Sequence, residues 1–309
     1  METEMRSNTN RRNSLALVAA SLLLVGACGS DSSSSNDEIT IVVTTTILGD
    51  IVENIVGSEA SVKVLMPTGA DPHDFQASAR QTSSIHGADL VVANGLGLEE
   101  GLQSVLSAAE NDGAKVLYVG PSVDPQPFKS SPDSVDPHVW LDPLRMIDAV
   151  DLVVDELERL EPSVDWSESA DNYKDELTIL DWELQALLGT TPVEMRGLVT
   201  NHDSLGYFAD RYGFQIVGVV IPGGSTFSDI SSDDLATLVG VVEDQKIEAI
   251  FSETTHRAVL ARAVSGEVDW EVEIVELYVG SLGSPGTDAG TYLGLMRINA
   301  ERVVSALAS

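Results

Sequence analysis

The sequence predicts an α/β protein of two lobes, each on a mostly parallel sheet, joined by a long helical stretch. Three observations predict it. Short continuous apolar runs at 90–93 and 116–119 have the pattern of parallel strands buried on both faces. Strand and helix patterns alternate from residue 39 to 119 and again from 197 onward, the order that builds parallel sheets. Between these regions, 143–188 is helical almost throughout. A chain of 309 residues, 43% hydrophobic, suits about two domains with substantial cores and is not disordered as a whole.

The elements follow in order. Residues 39–46 are β-branched and apolar, a strand; 47–56 carry Ile47, Ile51, Ile55 and Val56 at helical spacing. A second strand at 62–66 stops at Pro67-Thr68-Gly69, and 98–109 reads as a helix between the two buried strands. In the central stretch Met146, Val150, Val153, Val154 and Leu157 share one helical face. Glu161-Pro162 interrupts it, and a second helix runs over 166–188 to Gly189. Strands are expected at 197–200, 215–220, 249–252 and 272–277, with helical faces at 205–212, 235–242 and from Thr291. Trp166, Trp182 and Trp270 read as packing residues.

The N-terminus reads as an export signal. Arg6, Arg11 and Arg12 precede an apolar run at 15–25, of signal-peptide length and short for a membrane span. It ends in Val25-Gly26-Ala27-Cys28, which resembles a bacterial lipobox, with Cys28 the lipidated first residue of the mature chain; a buried core cysteine is the alternative. A Ser-rich tether follows. The organisation is therefore a signal peptide at 1–27, a tether at 28–38, an N-terminal lobe at 39–142, a helical linker at 143–190 and a C-terminal lobe at 191–309. A formal charge of −32 opposes binding to nucleic acid and fits a cationic ligand. A lone cysteine excludes a disulfide framework and a multi-cysteine zinc cluster.

Two of the five histidines end the same tripeptide, Asp71-Pro72-His73 and Asp136-Pro137-His138. Proline fixes its own φ and extends the residue before it, so each histidine leaves a stiff turn. His202 follows a strand and precedes a helix, at the strand's carboxyl end, where open α/β sheets bind ligands. Three neutral imidazoles converging in a cleft form a site for a borderline-soft divalent metal, zinc above all. Asp71, Asp74, Asp136 and Asp203 stand close enough in sequence to orient them. Read alone, loop histidines flanked by aspartate also have the look of solvated residues. His86, beside Gly87, and His256 read as solvated or capping.

Further motifs run in order along the chain: Val42-Val43-Thr44-Thr45-Thr46-Ile47-Leu48-Gly49-Asp50; Met66-Pro67-Thr68-Gly69-Ala70-Asp71-Pro72-His73; Asn94-Gly95-Leu96-Gly97-Leu98-Glu99; Asp136-Pro137-His138-Val139-Trp140; His202-Asp203-Ser204-Leu205-Gly206-Tyr207; and Ser281-Leu282-Gly283. Together they resemble the zinc/manganese family of solute-binding lipoproteins that serve bacterial ABC importers. The resemblance implies two α/β lobes bridged by a long helix, a metal site in the interlobe cleft, a permease partner, a monomer and no enzymatic activity. It places three ligands on His73, His138 and His202; a histidine at the third position favours Zn²⁺ over Mn²⁺. The family's fourth ligand, a carboxylate before Ser-Leu, falls on Gly280, which has no side chain. Water, Glu253 and Asp288 are the alternatives for that position. An open fourth position also suits a catalytic zinc, and an adhesin-like surface lipoprotein on the same fold is a further alternative.

Overall fold

The computed structural model describes residues 39–226, 231–255 and 258–308. The expected signal peptide, the lipidation site Cys28, the tether at 28–38 and His256 lie outside the described residues. None of the described helices is long and apolar enough to cross a membrane.

The first sheet comprises β1 (Ile39–Val43), β2 (Ala60–Val64), β3 (Leu90–Ala93) and β4 (Val116–Tyr118), in the order β2-β1-β3-β4 and parallel throughout. Its helices are α1 (Thr46–Val56), α2 (Ala79–His86) and α3 (Gln103–Asn111). The strand expected to reach Thr46 ends at Val43, because the Thr45 hydroxyl accepts from Leu48 N at 3.2 Å and starts α1 as its N-cap. The helix expected from Leu98 begins at Gln103, after one 3-10 turn (Glu100–Leu102). Glu99, at φ −85° and ψ 61°, is outside the helical region and breaks the expected helix there.

Two antiparallel helices follow, α4 (Pro143–Leu160) and α5 (Ser167–Leu188). Asp142 caps α4 by accepting from Leu144 N at 3.0 Å, with Pro143 in the first turn, where its missing N–H costs nothing. The second sheet repeats the first: β5 (Gly197–His202), β6 (Gln215–Ile221), β7 (Ala249–Glu253) and β8 (Glu273–Leu277), parallel in the order β6-β5-β7-β8. Its helices are α6 (Gly206–Tyr212), α7 (Ser232–Asp244), α8 (Val259–Ser265) and α9 (Tyr292–Leu307).

One apolar core runs beneath both sheets. Ile41, Ile51 and Ile55 of the first lobe, Met146, Leu177 and Leu184 of α4 and α5, and Leu198, Phe251 and Leu295 of the second lobe belong to the same buried cluster. Helix α5 touches α1 and α4 and also α6 and α9 of the second lobe. The outer face of each sheet has its own smaller core, around Val42, Val91 and Leu106 and around Val199, Ile250 and Val242. Trp166 is buried, whereas Trp182, expected to pack, is 66% exposed on the outer face of α5.

Candidate metal centre

The two sheets present the carboxyl ends of their strands to one cleft. His202 is the last residue of β5 and Glu253 the last of β7. These are the two central strands of the second sheet, where the strand order turns and ligands of open α/β sheets gather. His73 lies in the loop after β2 and His138 at the entrance of a 3-10 turn (Val139–Leu141) before α4. Both leave Asp-Pro-His turns closed in the same way. His73 N donates to Asp71 Oδ1 at 3.0 Å, and His138 N donates to Asp136 Oδ1 at 2.9 Å.

The structure brings His73, His138 and His202 together. Their ligand atoms lie within 4.8 Å of one another, and all three residues are buried. The Nε2 atoms of His138 and His202 are 3.1 Å apart. Two nitrogens on a tetrahedral ion with bonds of about 2.0–2.1 Å stand about 3.3 Å apart, so this pair is set close to metal-bridging distance. Each imidazole has a carboxylate near its Nδ1. Asp136 Oδ1 lies 2.7 Å from His138 Nδ1, and the Glu253 carboxylate contacts His202 Nδ1 while accepting from Ser204 Oγ at 2.9 Å. For His73 the carboxylate is that of Glu100, 3.6 Å away, and Nδ1 is buried without a hydrogen-bond partner among the described residues. Carboxylates behind imidazoles fix the tautomer and make the opposite nitrogen a better donor.

The remaining expectations separate. Asp71 Oδ2 accepts from Thr226 Oγ1 of the second lobe at 2.8 Å, and Asp203 is held by Ser130. Asp74 is exposed. Asp288 sits in the exposed loop at 284–288, outside the cavity that the histidines line. Glu253 lines that cavity, but its contact is with Nδ1 of His202. Gly280 also lines it, and a Cβ there would stand 2.8 Å from Pro72 Cδ. His86 is at the end of α2, 3.6 Å from Asp112. Glu100 escaped the sequence reading, since nothing in its spacing relates it to His73.

Burial and then the neighbouring imidazoles depress His73 to about 4, and burial and the His202 charge depress His138 to about 3. Both are therefore neutral donors at pH 7. Burial raises Asp136 to about 7. For Glu253 burial acts upward, but the charge and hydrogen bond of His202 outweigh it and hold the carboxylate below its ordinary value. Trp140 packs its ring 5.4 Å from that of His138, and its Nε1 donates to Val279 O of the second lobe at 2.9 Å.

Comparison with known proteins gives matches over nearly all of this region. The profile of the family described as "Zinc-uptake complex component A periplasmic" matches residues 41–306. The manganese-binding lipoprotein MntA of Halalkalibacterium halodurans is 32% identical over 267 residues, covering 85% of this chain and 86% of its own. The zinc-binding protein TroA of Treponema pallidum is 32% identical over 270 residues, with the same two shares. The solved structure of that periplasmic zinc-binding protein superposes with a TM-score of 0.82 at 31% identity, covering 88% of this chain and all of the other.

Proposed function

Because the chain belongs to the family of periplasmic zinc-uptake component A proteins, metal-binding solute-binding proteins of ABC importers and not enzymes, we propose that it captures Zn²⁺ outside the cytoplasm and hands it to a membrane permease. His73, His138 and His202 are the ligands in this reading, and Cys28 is the lipidated anchor. The observation that carries zinc is the donor set: among the described residues, three mutually close imidazoles with no carboxylate in the group. Imidazole suits zinc, whereas carboxylate and water suit manganese. Glu253, engaged behind His202, orients that ligand, and the fourth position is left to water. The manganese-binding name of one relative keeps Mn²⁺ as the rival cargo.

The test is a competitive chelator titration of the metal-stripped mature chain, first with Zn²⁺ and then with Mn²⁺. One zinc is expected at nanomolar Kd or tighter, about −12 kcal/mol, with manganese at least a hundredfold weaker. His73→Ala, His138→Ala and His202→Ala should each weaken zinc strongly, and His86→Ala should not. Micromolar zinc binding, or equal losses at His86 and His202, contradicts the assignment.

A further inference from the structure

The segment Asn94-Gly95-Leu96-Gly97-Leu98-Glu99 follows β3 and contributes none of the three histidines, yet it holds a buried carboxylate. Glu99 Oε1 accepts from Thr44 Oγ1 at 2.8 Å and from Asn94 N at 2.7 Å, and Oε2 accepts from Gly95 N at 3.0 Å. Burying a carboxyl group is costly and raises its pKa, and three hydrogen bonds offset that cost only while the chain stays wrapped around it. The wrapping is visible in the backbone: Leu96, which has a Cβ, is held at φ 57°, between Gly95 at 77° and Gly97 at 83°.

The wrapped loop reaches the metal centre twice. Leu98 lines the cavity together with His73, His138 and His202. Asn94, whose own N–H is fixed by Glu99, donates from Nδ2 to Pro137 O at 3.0 Å. That carbonyl belongs to the peptide bond joining Pro137 to His138. His138 is thus held from two directions, by Asp136 at its own N–H and Nδ1 and by Asn94 at the preceding peptide.

We propose that Glu99 is a positioning residue for His138, acting through Asn94 on the Pro137–His138 peptide. It sets the imidazole for metal without touching the ion, and this inference rests on the reading of His138 as a ligand. Asn94→Ala removes the link to Pro137 and leaves the carboxylate with its backbone donors. Glu99→Gln keeps the size of the side chain but turns an amide N–H toward a peptide N–H.

The experiment measures zinc affinity and the visible spectrum of the Co²⁺ form for the wild type, both variants, His138→Ala and the two double variants, with circular dichroism as the check on fold. Each single variant should weaken zinc about tenfold or more, as loss of a residue supporting a metal ligand does. Each should also shift the Co²⁺ bands. In the His138→Ala background neither should add a further loss, whereas a general effect on stability would add in full. Wild-type affinity and spectrum in Asn94→Ala overturn the inference, as does full additivity with His138→Ala. Should Glu99→Gln fail to fold, Thr44→Val, which removes the hydroxyl donor to Glu99 Oε1, takes its place with the same expected and overturning results. A wild type that takes up no zinc overturns the metal-site reading itself.

Discussion

At the scale of single residues, the centre carries a pH signature that needs no metal to be seen. Unfolded, His73 and His138 titrate near 6.5 and Asp136 near 3.8; folded, they titrate near 4, 3 and 7. Between about pH 6.5 and 4 the unfolded chain therefore binds two more protons on the histidines, and the folded chain one more on Asp136. The difference of about one proton favours the unfolded state as pH falls. These three groups should cost the metal-free protein about 1.4 kcal/mol of stability per pH unit over that range. Urea unfolding of the stripped protein at pH 6 and pH 5, compared with His73→Ala/His138→Ala, checks this: without the two depressed histidines, stability should fall less steeply as pH falls. A slope equal in both proteins contradicts the depressed histidines.

At the scale of elements, the first lobe starts the last helix of the second. Asp50 on α1 accepts from Tyr292 N, the first residue of α9, at 2.9 Å, supplementing Thr291, which accepts from Gly294 N at 3.2 Å. Asp50→Ala leaves a helix-start N–H without a partner and removes an anion from the positive end of α9. A loss of about 1–2 kcal/mol is expected in chemical unfolding with little change in zinc affinity. A wild-type midpoint contradicts the capping role. Strands and helices of this kind were legible because apolar spacing and capping residues are local signals. The Asp-Pro-His turns were legible for the same reason, since proline stiffens its neighbours whatever surrounds it. The loop at 94–99 was not: leucine and glutamate at helical spacing carry no mark of a carboxylate that folds back onto Thr44. Nor was the partner of His202, because Glu253 reaches it through the pairing of β5 with β7, fifty residues along the chain. Trp182 misled for the complementary reason, as an aromatic on a helix says nothing of which face it takes.

At the scale of the whole molecule, two features act together. The shared core makes both lobes and the helices between them one buried unit, so separation of the lobes would expose apolar surface that independent domains would not have hidden. The full chain carries 49 acidic against 17 basic residues, and most charged side chains of a folded protein face solvent. Such a field draws in divalent cations and is screened by salt. The association rate of zinc, followed by stopped-flow Trp140 fluorescence, should fall severalfold between about 0.02 and 0.5 M salt; a rate indifferent to salt would mean that the charge serves only solubility. The position of His202 and Glu253 at the tips of β5 and β7 has a further consequence for how such a protein diversifies. In the proposed reading the donors stand at strand ends and in loops, outside the apolar cluster that joins the lobes, so the set of donors can change while that cluster is kept. Relatives named for zinc and for manganese at the same 32% identity are what such a division between core and donors leads one to expect.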